Sequence, residues 1–157
     1  ETLFNWLQFD IVDKTIIDLF AGSGALSLEA ISRGAKKVCL IEKNRKVFKN
    51  LELNFKLLSN SQYQLNNTDS AIFLDKKNNK PFDLVFLDPP FKQNLIPVIL
   101  ELLSQKNYLH YESQIYIESE YEITPKLLEN HLEYNCRIRK QKKSGNVHYC
   151  LISLEVI

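Results

Sequence analysis

Short apolar runs alternate with helical patterns along most of this chain, and the alternation limits the folds that it can adopt. Strand-like runs occupy residues 15–20, 37–42, 63–66, 82–87 and 113–118. Helical patterns follow them at residues 25–33, 45–58, 70–76, 95–104 and 126–130. Because strands joined by helical crossovers run parallel and are covered on both faces, the alternation predicts an α/β fold with a doubly wound, mostly parallel sheet.

The last part of the chain follows a different pattern. Residues 134–142 and 147–156 both resemble strands, and Ser144-Gly145-Asn146 between them is typical of a hairpin turn. We therefore expect an antiparallel hairpin to close the sheet. Because no repeat, linker or low-complexity segment interrupts the chain, residues 1–157 are predicted to form a single domain, with Phe4 and Trp6 packing the N-terminal segment onto it.

Composition argues against several classes of protein. No stretch reaches the roughly 20 apolar residues of a membrane span, and no signal-peptide pattern opens the chain. The three cysteines and three histidines show no metal-ligand spacing, which predicts a reduced, cytoplasmic protein without a metal or membrane partner. The net charge of +1 is compatible with a nucleic-acid partner, because such a partner needs only a local basic face.

Four acidic residues stand at the ends of four successive strand-like runs. They are Asp18, Glu42, Asp69 and Asp88. In a doubly wound sheet, ligands bind beyond the carboxyl ends of the strands, near the point where the strand order reverses. The acids therefore predict a ligand site at that edge, although Glu42 alone can be a surface strand end and Asp69 alone an ordinary helix N-cap.

A glycine turn, Ala21-Gly22-Ser23-Gly24, follows the first strand and precedes a helix. Glycines allow a sharp turn and a close approach to a ligand at the positive end of the helix. A single G-x-G turn is weak evidence on its own. Ser27 occupies the position of the third glycine in the dinucleotide fingerprint, which argues against a nicotinamide cofactor.

The turn Asp88-Pro89-Pro90-Phe91 follows the apolar run at residues 82–87. Prolines have no N–H and cannot continue a sheet ladder, so the chain leaves the sheet in a stiff turn. The Asp88 carboxylate and the Pro89 carbonyl can then hold the hydrogens of an amino group on a flat ring, while Phe91 stacks on that ring. We predict that these four residues form a catalytic site that acts on such an amine.

The motifs together resemble the Rossmann-fold S-adenosylmethionine-dependent methyltransferases. Within that class, the chain resembles the bacterial family that methylates the 2-amino group of a guanine in 16S ribosomal RNA, the small-subunit rRNA methyltransferase D family. The resemblance is carried by the residues from Asp18 to Ala30, by the Asp88 turn and by three further segments. These are residues 1–7, 115–120 and 143–147.

The resemblance implies a fold, a cofactor and a partner. It implies a seven-stranded sheet whose last strand is antiparallel, S-adenosylmethionine as cofactor, and 16S rRNA or the small ribosomal subunit as substrate. We separately expect the protein to be a monomer. Family members carry an Arg-rich segment before the stretch that opens this chain, so we expect an N-terminal RNA-binding segment to be lacking here. The implied cofactor-binding residues are Phe20, Ala21, Gly22 and Gly24 for the methionine portion, Asp18 for fixing that loop, Glu42 for the ribose, and Asp69 with Ser70 for the adenine.

Two other readings of the sequence stay open. An enzyme that methylates the amino group of adenine in DNA can use the same Asp-Pro-Pro-Phe turn, and a cofactor-binding fragment without RNA activity is the other alternative. Basic residues around the last hairpin can contact phosphates or form an ordinary solvated surface. They are Arg137, Arg139, Lys140, Lys142 and Lys143, with Arg45, Lys46 and Lys49 on a helix.

Overall fold

A seven-stranded sheet forms the centre of the molecule in the computed structural model, which describes residues 2–7 and 10–155. The strands are β1 (Thr15–Asp18), β2 (Lys37–Ile41), β3 (Tyr63–Asn66), β4 (Leu84–Leu87), β5 (Gln114–Ser119), β6 (Asn135–Ser144) and β7 (Val147–Glu155). The α-helices are α1 (Thr2–Trp6), α2 (Ala25–Ser32), α3 (Arg45–Phe55), α4 (Ser70–Leu74), α5 (Ile96–Gln105) and α6 (Pro125–His131), and a 3-10 turn spans Asn60–Gln62.

The strand order is β3-β2-β1-β4-β5-β7-β6. Strands β1 to β5 pair in parallel, and β7 pairs antiparallel with both β5 and β6. The predicted fold, with its parallel sheet, closing hairpin and antiparallel last strand, is confirmed. The order reverses between β1 and β4, so the crevice beyond these two strands is the expected ligand position.

Each face of the sheet carries its own apolar core. Adjacent strand residues point to opposite faces, so Ile16 packs on one side and Ile17 on the other. Helices α1, α2 and α3 contribute to the core around Ile16, and α4, α5 and α6 to the core around Ile17. Burial on both faces explains why the central strands are apolar throughout instead of alternating.

Helix α1 is a difference from the sequence prediction, which assigned no helix to the N-terminal segment. The predicted packing of that segment is nevertheless confirmed for Phe4, which is buried and meets the ring of Phe86 edge-on at 6.5 Å between centroids. Strand β4 also begins two residues later than predicted. Asp83 stands outside it, because its carboxylate accepts hydrogen bonds from Thr15 and contacts His110.

The helices within residues 2–7 and 10–155 are all too short or too polar to cross a membrane.

Candidate functional site

The glycine turn after β1 is held by main-chain hydrogen bonds from both neighbouring strands. The N–H of Leu19 donates to Phe86 of β4 at 3.1 Å, and that of Ala21 to Ile41 of β2 at 2.9 Å. The turn closes on itself through the Gly24 N–H, which donates to the Ala21 carbonyl at 2.9 Å. These bonds fix the turn in the crevice where the strand order reverses.

Gly22 and Gly24 occupy different environments in this turn. Gly22 has a φ of 58°, and a Cβ built on it would meet no atom of the described residues within 4 Å. Gly24 has a φ of 83°, and its Cβ would stand 2.5 Å from Cε1 of Phe55 and 2.6 Å from Cδ1 of Leu51, both on α3. Gly22 thus leaves open space beside the crevice, whereas Gly24 lets α3 pack tightly against the start of α2.

Glu42, directly after β2, is anchored by two main-chain groups. Its Oε1 accepts the N–H of Gly22 at 2.9 Å, and its Oε2 accepts the N–H of Asn44 at 2.9 Å. Each carboxylate oxygen has a further lone pair. The half-buried side chain can therefore accept hydrogens from a diol without giving up its anchors.

Asp18 supports the crevice from beneath. It is 2% exposed, and its Oδ2 accepts the hydroxyl of the buried Ser27 on α2 at 2.7 Å. Burial raises the pKa of Asp18 to about 6, opposed by the Ser27 hydrogen bond and reinforced by the nearby charge of Glu42. Its position ties the end of β1 to α2, and it does not line the cavity described below.

Asp69 and Ser70 begin α4 on the other side of the crevice. Asp69 is the N-cap, since its Oδ1 accepts the N–H of Ile72 at 3.1 Å, and its Oδ2 lies 3.8 Å from Nζ of Lys43. The buried hydroxyl of Ser70 donates to the carbonyl of Leu19. Asp69 therefore caps α4, and both Asp69 and Ser70 also line the cavity described below.

The Asp88 turn leaves the sheet as its prolines require. Pro89 is buried, Pro90 is exposed, and Phe91 is 40% exposed, which leaves much of an aromatic face accessible. The loop continues through Lys92 with a left-handed φ of 67°, and the Lys92 N–H donates to Glu120 Oε2 at 2.5 Å. This tie to the loop after β5 holds the turn in place.

Asp88 has an altered acidity. Burial raises the pKa of its carboxyl to about 7, with further contributions from the negative charges of Glu118 and Asp18. A carboxyl with a pKa near neutrality exchanges protons more readily at physiological pH than one at its ordinary value. Such groups cluster at functional sites.

One cavity of about 830 Å³ joins these features. Nine of its lining residues are site residues predicted from the sequence: Phe20, Gly22, Glu42, Asp69, Ser70, Asp88, Pro89, Pro90 and Phe91. Among the predicted cofactor residues, Asp18, Ala21 and Gly24 do not line it. They act on the turn through the contacts given above.

The sequence prediction missed several residues of the lining. They are Leu19, Ile41, Lys43, Asn44, Gln93 and Leu95. Leu19 and Ile41 form an apolar wall, which in sequence looks like any buried strand. Asn44 was assigned only as a helix cap, which it is, since its Oδ1 accepts the N–H groups of Lys46 and Val47.

The chemistry of the cavity fits a ligand with one flat apolar part and cationic groups. Apolar side chains line its wall, and three carboxylates, Glu42, Asp69 and Asp88, face it with Lys43 as the cation among the lining residues. A positively charged ligand is therefore favoured over an anionic one. At one end Glu42 can bind a diol, and at the other Asp88 and Phe91 can receive a flat amine.

Comparison with known proteins identifies a family model and curated relatives that match nearly the whole chain. The family model described as conserved hypothetical protein 95 matches residues 1–153. Ribosomal RNA small subunit methyltransferase D of Haemophilus influenzae is 41% identical over 157 aligned residues, which cover 96% of this chain and 77% of that protein.

Solved structures of similar fold include methyltransferases. A candidate methyltransferase from Escherichia coli superposes with a TM-score of 0.88 at 39% identity, covering 99% of this chain and 84% of the other. A candidate methyltransferase solved as a complex with SAH has a TM-score of 0.76 at 13% identity, covering 97% of this chain and 48% of the other. The second likeness shows the fold alone.

Proposed function

The chain belongs to the ribosomal RNA small subunit methyltransferase D family, and we propose that it transfers a methyl group from S-adenosylmethionine to the 2-amino group of a guanine in 16S rRNA. The family resemblance drawn from its motifs is confirmed. The single observation that carries the proposal is the cavity of about 830 Å³ shared by Glu42 and the Asp88 turn. Because one cavity has an end suited to a diol and an end suited to an amine, it can hold the cofactor and the base together for transfer of a methyl group.

The cofactor end is formed by the glycine turn, Glu42 and the start of α4. When bound, S-adenosylmethionine supplies an electrophilic methyl group on a sulfonium centre. Glu42 would accept the ribose hydroxyls, and Asp69 with Ser70 would flank the adenine; all three residues line the cavity. The open space at Gly22 admits the methionine portion close to the main chain. The 41% identical relative is named as a methyltransferase, which supports this assignment.

The acceptor end is formed by Asp88, Pro89 and Phe91. An exocyclic amine on guanine is a poor nucleophile, because its lone pair is delocalised into the ring. Acceptors that hold both hydrogens favour a geometry in which the lone pair is localised, and the Asp88 carboxylate with the Pro89 carbonyl can do so. Phe91 can stack on the base once it is splayed out, a contact worth about 1–3 kcal/mol. Asp88 can then accept the departing amine proton.

The proposed RNA-facing surface runs along β6. It extends from Arg137, level with the amino end of β5 and 3.0 Å from Glu155, to Lys142 and Lys143, level with the carboxyl end where the acceptor end lies. Arg137, Lys140 and Lys142 pair with Ser153, Leu151 and Tyr149 of β7, and all three basic side chains are exposed.

The β7 partners Leu151 and Tyr149 belong to the core around Ile16, so the three basic side chains lie on that face of the sheet. Helices α1, α2 and α3 cover the same face nearer its centre. Because phosphates are neutralised by such clusters, the strand can position an RNA next to the acceptor end.

The experiment that tests the proposal uses the full-length protein and tritiated S-adenosylmethionine. The acceptors are small ribosomal subunits, naked 16S rRNA and duplex DNA, each prepared from cells that lack the corresponding methylation. After digestion to nucleosides, we expect label in 2-methylguanosine from one of the two RNA substrates. Label in methyladenine, or cofactor binding without label in any acceptor, would overturn the proposal.

A further inference from the structure

Glu118 lies beside Asp88 at the carboxyl edge of the sheet. Strands β4 and β5 pair in parallel, and the last pair in register is Leu87 with Ile117. Asp88 directly follows the end of β4, Glu118 is the next residue of β5, and neighbouring strands are about 4.8 Å apart. After burial, the negative charge of Glu118 accordingly makes the largest contribution to raising the pKa of Asp88.

Tyr116 holds Glu118 in this position. Its hydroxyl donates to Glu118 Oε2 at 2.8 Å, and its ring is buried edge-on against Phe86 at 6.4 Å between centroids. The two residues are i and i+2 on β5, so their side chains share one face of the strand. Tyr149 stands opposite Glu118 on β7 and flanks it on the other side.

This pair of carboxylates has no lysine or arginine bonded to it within residues 2–7 and 10–155. Two half-buried acids side by side repel each other, and they suit a ligand that brings two adjacent hydrogen-bond donors. The Watson–Crick edge of guanine presents N1–H next to the 2-amino group. Adenine presents an acceptor at N1 beside its amino group, which would face the Glu118 carboxylate unfavourably.

We infer that Glu118 is a specificity-determining residue that accepts the N1–H of the target guanine while Asp88 holds its 2-amino group. Tyr116 is the positioning residue that orients Glu118. The inference rests on the proposed function and deepens it. Glu118 would thus select guanine over adenine, whereas the Asp88 turn by itself can hold the amino group of either base.

The sharpest test is a change of specificity. The guanine that the wild-type protein labels is first mapped, and rRNA is then ligated with guanine or 2,6-diaminopurine at that single position. Diaminopurine keeps the 2-amino group but has an acceptor at N1. Glu118→Gln exchanges a pure acceptor for a side chain that can also donate, at the same size and with an oxygen left for Tyr116.

For the wild-type protein, we expect kcat/KM to be roughly 10–100-fold lower on diaminopurine than on guanine, since one base contact is worth about 1–3 kcal/mol. Glu118→Gln should lose roughly 10–100-fold on guanine and reverse or nearly abolish the preference. Equal loss on both bases, or no loss on guanine, would overturn the role of Glu118.

Two further variants separate this role from a structural one. Tyr116→Phe should weaken the base preference less than Glu118→Gln and leave S-adenosylmethionine affinity unchanged. Glu112→Gln removes an exposed acid just before the opposite end of β5 and should change neither preference nor rate. A wild-type protein that methylates no guanine would refute the proposed function itself. An active wild-type protein whose Glu118→Gln variant keeps its preference would refute only this inference.

Discussion

Glu42 accepts the main-chain N–H of Gly22 at 2.9 Å, and this bond joins the ends of β1 and β2 across the crevice. The partners are 20 residues apart in sequence. The same carboxylate that is proposed to bind the ribose therefore also sets the conformation of the turn proposed to hold the methionine portion. Loss of Glu42 should therefore affect the binding of both the ribose and the methionine portion.

Replacing Glu42 with Ala should weaken S-adenosylmethionine binding by roughly 10–100-fold. Hydrogen bonds to a charged group are worth about 1.5–3 kcal/mol each, and every 1.4 kcal/mol is tenfold in affinity. Calorimetric titration of the cofactor gives the measurement. Glu52→Ala, which removes an exposed acid from α3, is the matched control and should leave the affinity unchanged. Wild-type affinity in Glu42→Ala would remove Glu42 from the cofactor site.

The two glycines of the turn should respond differently to substitution. Gly22→Val places a side chain in open space beside the cavity and should abolish cofactor binding, while the strained φ lowers stability by about 1–2 kcal/mol. Gly24→Ala should lower the free energy of unfolding more, by roughly 2–5 kcal/mol, because its Cβ also collides with Phe55 and Leu51. Thermal unfolding and calorimetry on both variants separate the effects. Intact binding in Gly22→Val would contradict the cofactor assignment.

The strands and the closing hairpin could be predicted because their signals are local. Apolar runs, a glycine turn and Ser144-Gly145-Asn146 each act over a few residues. The topology rule for parallel sheets then placed Asp18 and Asp88 at adjacent strand ends, where the structure has them.

Features that depend on tertiary packing could not be predicted in this way. The environments of Gly22 and Gly24 differ because α3 packs against Gly24. Phe55 of that helix, which a Cβ on Gly24 would meet, is about 30 residues away from Gly24 in sequence. Helix α1 is only five residues long and forms because the sheet buries its apolar side.

Glu118 is a different case, since it also ends a strand-like run. The rule that selected the other four acids could have found it.

Ser27→Ala tests the support beneath the crevice. It removes the hydrogen bond to the buried Asp18 carboxyl, so we expect the free energy of unfolding at neutral pH to fall by about 1–3 kcal/mol. Ser32→Ala, on the exposed face of the same helix, removes a hydroxyl bonded to the carbonyl of Glu29 and should change stability by less than about 0.5 kcal/mol. Denaturant unfolding of both variants provides the comparison. Equal stability of the two would show that Asp18 does not depend on Ser27.

Asp88→Ala tests the acceptor end without disturbing the cofactor end. We expect S-adenosylmethionine affinity to be largely retained, because Asp88 is proposed to hold the amine of the base. Methyl transfer to rRNA should fall by roughly 10²–10⁴-fold, the range for loss of a positioned acid–base group. Asp75→Ala, which removes an exposed acid after α4, is the control and should transfer at the wild-type rate. Normal turnover of Asp88→Ala would exclude the proposed role.

The raised pKa of Asp88 predicts a pH dependence with a definite sign. Burial, the charge of Glu118 and the charge of Asp18 raise this pKa to about 7, and only the ionised carboxylate can both accept the amine hydrogens and take up a proton. Turnover should therefore decline as the pH falls through about 7. The carboxyl carbon of Asp88, followed by NMR in the ligand-free protein, should titrate in the same range.

Glu118→Gln separates the causes of this shift, because it removes one of the two charges and leaves burial nearly unchanged. Its Asp88 should titrate at a lower pH than in the wild-type protein, and the acid limb of turnover should move in the same direction. Glu112→Gln should leave both unchanged, since Glu112 precedes the other end of β5. An Asp88 that titrates near its ordinary value of 3.8 in the wild-type protein would show that the carboxyl is well solvated, and the proton-accepting role would then lose its basis.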